Sequence, residues 1–140
     1  MNRILRNVLA VVCGIVLGSM VNIGLVELGH SIVSPPDGVD LSTTEGLRNA
    51  MALFGPEHFI FPFLAHALGT LSGAFIAAMI AASNRMRIAL GVGLFFLIGG
   101  IAMVVMLPSP IWFTVLDLLF AYMPMAIVGG RAAISRRGNR

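Results

Sequence analysis

The sequence has no lysine, a single cysteine, one tryptophan and one tyrosine, and only 11% of its residues are charged. Each scarcity excludes something. One cysteine, Cys13, leaves no intrachain disulfide and no cysteine-pair chemistry. So few charges cannot coat a soluble domain of 140 residues, and the nine basic side chains, all arginine, point to no nucleic-acid role. No phosphate-cradling glycine loop and no nucleophile elbow occurs. The residues therefore lean away from an enzyme, a catalyst here would have to be metal-dependent, and no cofactor is expected.

What is present is oil-soluble surface. Hydrophobic residues make up 58% of the chain and the mean hydropathy is +0.96. Four apolar stretches, at about 8–33, 59–82, 88–107 and 111–130, reach the ~20 residues that cross ~30 Å of hydrocarbon. The expected fold is an all-α membrane protein, a single domain built as an antiparallel bundle of four transmembrane helices. Arg3 and Arg6 precede the first stretch, but that run is too long for a signal peptide and lacks a cleavage site, so it reads as a retained helix. Pro62 and Pro124 fall inside the second and fourth stretches, and each predicts a kink.

Arginine sets the expected orientation. With four crossings, eight of the nine arginines share one side, and only Arg48 lies opposite. The positive-inside rule then puts both ends of the chain in the cytoplasm of a plasma membrane, the inner membrane in a bacterium. The basic segment 131–140 is expected on anionic lipid headgroups.

The connections "SNRMR" and "PSP" are short, whereas the first outer loop, 34–58, is long. It opens with "SPPDGVD", an extended stretch and an Asp-Gly turn. A short amphipathic helix follows. Ser42 and Glu45 have capping-box spacing, and Leu47, Ala50, Met51 and Phe54 share one face. That helix either lies in the membrane interface or covers whatever the bundle encloses.

Small residues recur every four positions at Ala65, Gly69, Gly73, Ala77 and Ala81 of the second stretch, and Gly14 and Gly18 match them in the first. This spacing predicts close helix contact between those two stretches, or a seam for a second copy or a partner subunit.

Ionisable groups inside hydrocarbon cost about 2.5–3.5 kcal/mol each, so they turn toward protein or water. Counting inward from the outer ends puts Glu27, His66 and Asp117 at one depth, roughly 9–12 Å below the boundary at ~1.5 Å per residue. Asn22 and His30 share a helix face with Glu27, Thr70 follows His66 at i+4, and together the six outline a protonatable pocket. Glu27, His30, His66 and Asp117 also form a weak metal-ligand set. Two further readings stand beside these. His66 bonds a carbonyl freed by Pro62 or pairs with Asp117 merely to hold helix register, while Glu57, His58 and Tyr122 sit at the interface with Trp112 as an aromatic anchor. The function classes that survive are a structural, accessory or partner-binding bundle and a small transporter or proton-conducting protein using Glu27, His66 and Asp117.

Overall fold

The structure is a computed structural model that describes residues 2–36, 38 and 41–138. Asp37 of the Asp-Gly turn and Arg140 of the basic segment lie outside the described residues. Every regular element among those described is helical: α1 (Arg3–Ile32), α2 (Thr44–Met51), a 3₁₀ turn (Pro56–Phe59), α3 (Ile60–Ile80), α4 (Arg85–Met106), α5 (Ile111–Phe120) and α6 (Met123–Gly138). Four helical units are long and apolar enough to cross a membrane: α1, the 3₁₀ turn with α3, α4, and α5 with α6.

The fourth unit is two helices, where the sequence predicts one. Pro124 has no N–H to give, and its ring collides with the carbonyl four residues back, at Phe120. Accordingly α5 stops at Phe120, Ala121 and Tyr122 form a bend, and α6 restarts at Met123 and runs on through the arginines to Gly138. Pro62 behaves differently. It falls in the first turn of α3, where a missing N–H costs nothing, and α3 runs unbroken past it from Ile60 to Ile80, without the break expected of an interior proline. In α2 the cap is Thr43 rather than Ser42: the Gly46 N–H donates to Thr43 Oγ1 at 3.0 Å.

α3 is the central helix. It packs most extensively on α1 along one side and on α6 and α4 along the others. The glycines explain how close α1 comes. A Cβ built on Gly14 would lie 2.6 Å from the Gly73 carbonyl oxygen, and one on Gly18 would lie 2.7 Å from that of Gly69. The approach is reciprocal, because a Cβ on Gly73 would meet the Gly14 carbonyl at 2.7 Å. On the far side of α3, Gly129 of α6 sits against the Leu71 backbone in the same manner. Ala65 and Ala77 are fully buried in this packing.

The interior is consequently made of small side chains, with Ala74, Ala78, Ala89, Ala126 and Ala133 forming one cluster. Large side chains point out instead: Val8, Val12, Val16 and Met20 on α1, and Leu94, Ile98 and Val105 on α4, are each half or more exposed. A soluble core buries its largest apolar groups. This arrangement is the reverse, and it is what helix packing in lipid favours.

The two ends of the bundle differ. At one end, Asn7 of α1 locks the α3–α4 turn: its Oδ1 accepts the Ala82 N–H at 2.9 Å and its Nδ2 donates to Ser83 Oγ at 3.2 Å. Asn84 in that turn takes the left-handed conformation, φ 51°. At the other end α2 and the 3₁₀ turn fold back across the helix ends.

Candidate functional site

At that second end the helices do not close. A cavity of about 240 Å³ lies between α1, α3, α4 and α5, beneath α2. Its walls are apolar, from Val26, Phe61, Met103 and Phe113 among others. Leu47, Met51 and Phe54 form its roof, so the apolar face of α2 is turned down onto the cavity. Polar groups are few, as expected of a small-molecule pocket. His66 and Asp117 lie at the floor, His30 and His58 stand nearer the mouth, and Ser109 sits on the α4–α5 connection.

The floor is the most structured part. His66 Nδ1 lies 2.9 Å from both Oδ1 and Oδ2 of Asp117. The Tyr122 hydroxyl donates to Oδ2 at 3.0 Å, and its ring stacks on the imidazole with centroids 5.6 Å apart. Asp117 and Tyr122 are almost fully buried, at 3% and 2% exposure. The His66 side chain, by contrast, keeps 24% of its surface and contributes to the cavity wall.

This geometry fixes a chemistry. A carboxylate can only accept, so a neutral His66 must carry its proton on Nδ1. Nε2 has no protein partner among the described residues, and its lone pair is left for whatever enters the cavity. The imidazole can then accept a hydrogen bond at that nitrogen. Tyr122 holds the carboxylate in place from behind.

Sequence and structure agree on part of this set. His66 and Asp117, placed at one depth by counting residues, are bonded to each other. Glu27 is not with them. It is exposed, within the last two turns of α1. At about 100° per residue it stands some 180° around the helix from Gly18, and the glycines settle which side of α1 faces α3. The expected carboxylate–imidazole–carboxylate triad therefore becomes a histidine–aspartate–tyrosine cluster. His30 is exposed and touches only the cavity rim. Asn22 lies in the α1–α3 seam beside Gly69, away from the floor. Thr70 is fully buried, and its hydroxyl has no hydrogen-bond partner among the described residues. No three His, Cys, Asp or Glu side chains among the described residues converge closely enough to hold a metal ion, so Glu27, His30, His66 and Asp117 do not form one set.

Tyr122 is the residue that the sequence reading misplaced at the interface. It lies five positions after Asp117, which on an unbroken helix would put it on another face. The bend ahead of Pro124 turns it back, and Gly100 of α4 leaves the space its phenol fills. The signal was present as a proline two residues on.

His58 belongs to the roof. Its ring stacks on Phe54 with centroids 4.7 Å apart and planes 6° from parallel. Nε2 lies 3.3 Å from the Ser34 carbonyl, while Nδ1 stands 3.4 Å from Glu57 Oε1 without hydrogen-bond geometry. These contacts tie α2, the chain leaving α1 and the 3₁₀ turn together above the cavity.

Against known proteins, the chain matches no family model, and no curated protein or solved structure is similar enough to indicate kinship.

Proposed function

We propose that this chain is a multi-pass plasma-membrane protein, with both ends of the chain cytoplasmic, that binds one lipophilic small molecule bearing a hydroxyl headgroup. The ligand's apolar body fills the cavity beneath α2, and its hydroxyl donates to His66 Nε2. The observation that carries this reading is the asymmetry of His66: one ring nitrogen is held by a buried carboxylate, the other has no partner among the described residues, and the side chain lines an apolar cavity. Membrane placement rests on the four long apolar units, their outward-facing large side chains, and the arginines gathered at one end. In this placement the cavity opens at the outer leaflet, and Glu27, near the end of α1, reaches the headgroup region.

Two observations favour binding over the other classes. The small-residue stripe that would seat a partner subunit is occupied by the chain's own α1. Conduction would need a polar route from His66 to the arginine end, yet that half is closed by the Gly14–Gly73 contact and by the fully buried Ala74, Ala77 and Ala78.

The test is binding of an isoprenoid alcohol and of its methyl ether to protein purified in mild detergent. The ether keeps the apolar body and loses the donor. The alcohol should bind about tenfold tighter, as one hydrogen bond to a desolvated partner implies. His66→Ala should erase that preference while leaving the helical circular dichroism unchanged. Equal affinity of the wild type for alcohol and ether would refute the headgroup assignment, and no measurable binding of either would refute the ligand class.

A further inference from the structure

The arginine end holds a second site. Three guanidinium groups from three helices converge on the carboxyl end of α3. Arg6 Nε of α1 donates to the Ile80 carbonyl at 2.7 Å, Arg137 Nη1 of α6 to the Met79 carbonyl at 2.9 Å, and Arg85 Nε of α4 to the Ala81 carbonyl at 3.4 Å. Capping the last carbonyls of a helix with cations is favourable, because those groups lack helical partners and carry the negative end of the dipole. Capping alone, however, does not use what is there.

Each guanidinium has five N–H donors and spends one of them here. The helix end offers about half a negative charge against three positive ones. Among the described residues no carboxylate pairs with any of the three; the two acid–base contacts of the structure are His58 with Glu57 and His66 with Asp117. Every described acidic residue, namely Glu27, Glu45, Glu57 and Asp117, lies toward the opposite end of the bundle. Arg137 is close enough to Arg85 and Arg6 to feel the charge of both. All three side chains are half-buried and held by backbone carbonyls, so the donors that remain are preorganised.

We propose that Arg6, Arg85 and Arg137 form a binding site for the phosphate of one acidic phospholipid in the cytoplasmic leaflet. Planar guanidinium forks suit phosphate oxygens, and an anion among three of them relieves their mutual repulsion. The site is distinct from the exposed arginines Arg3, Arg87, Arg131 and Arg136, which make none of these carbonyl bonds. It rests on the membrane placement proposed above and not on the pocket, so failure of the alcohol-binding experiment leaves it standing.

Native mass spectrometry of the full chain, released from a neutral detergent, tests it. Phosphatidylglycerol and phosphatidylcholine of equal chain length are the lipid probes, and inorganic phosphate is the soluble one. The wild type should retain one phosphatidylglycerol in preference to phosphatidylcholine. Arg85→Gln and Arg137→Gln should each reduce that retention about fivefold, the effect of one arginine near a charged surface, whereas Arg131→Gln should not. Equal retention of the two lipids by the wild type would overturn the proposal, whatever the variants do. So would an equal loss in Arg131→Gln, or displacement of the lipid by millimolar inorganic phosphate, which would make soluble phosphate the ligand. A chain that stays dispersed without detergent would instead overturn the membrane placement itself.

Discussion

The Tyr122 hydroxyl occupies the space that glycine leaves at position 100 of α4, and from there it donates to Asp117 at 3.0 Å. A Cβ at position 100 would fall on the phenol oxygen and ring. A backbone position on one helix thereby controls a hydrogen bond made between the bend and α5. Tyr122→Phe should lower stability by about 1 kcal/mol, the net worth of one buried hydrogen bond. Gly100→Ala should cost about 1–3 kcal/mol through overpacking. The informative quantity is their coupling. In the Tyr122→Phe background the added methyl meets a ring without its hydroxyl, so Gly100→Ala should cost less there. Thermal unfolding of the four proteins in detergent measures this, and strictly additive losses would separate Gly100 from the cluster.

Asp117 should set the tautomer of His66. A carboxylate accepts only, whereas the carboxamide of Asp117→Asn can turn its N–H₂ toward Nδ1 and leave the ring proton on Nε2. Nitrogen NMR shifts of the imidazole in the wild type should report a protonated Nδ1, and in Asp117→Asn a protonated Nε2. The cavity then faces a donor in place of an acceptor, from which a hydroxyl and an ether oxygen can both accept, so ether binding should rise toward that of the alcohol and the roughly tenfold preference should disappear. An unchanged tautomer in Asp117→Asn would show that the carboxylate does not govern the site.

How much of this was legible depends on whether a feature is local. The four apolar units, the close approach of Gly14 and Gly18 to α3, and the common depth of His66 and Asp117 all follow from spacing along one helix. Depth is readable because the rise per residue is constant. Azimuth is not, since it depends on which face meets a neighbour. Glu27, counted to the depth of His66, stands on the side of α1 turned away from α3, and the contact of nearby Gly29 with Phe61 sets it closer to the outer end. Tyr122 escaped for another reason: its place depends on a helix break, so residues beyond the break cannot be projected from those before it. The lid could be recognised as an amphipathic helix, but the direction its apolar face takes is settled by the cavity beneath it.

The α1–α3 seam should tolerate no side chain. Gly14→Leu drives a Cβ into the Gly73 carbonyl and the Ala77 methyl, both backed by fully packed helix. A loss of about 1–3 kcal/mol, or failure to assemble, is expected. Gly24, on the same helix, has nothing within 4 Å of the corresponding position. Gly24→Leu should therefore leave thermal stability nearly unchanged. If the two variants melt alike, α1 does not pack through its glycines.

The roof should open when its aromatic latch is removed. Phe54 stacks on His58 and meets Phe59 edge-on, with centroids 6.2 Å apart, and through these rings it joins α2 to the start of α3. Aromatic pairs of this kind contribute about 0.5–1.5 kcal/mol beyond their buried area. Phe54→Ala should thus accelerate ligand release about two- to tenfold. It should also raise amide hydrogen exchange across 44–51 while leaving the protection of α3 and α4 intact. Leu53 is the control, because it is 63% exposed beside the latch and does not line the cavity. Leu53→Ala removes a comparable apolar side chain from the same segment without touching the rings. Equal exchange and equal release rates in the two variants would mean that α2 moves independently of the Phe54–His58 stack, and the roof would then be a passive surface helix.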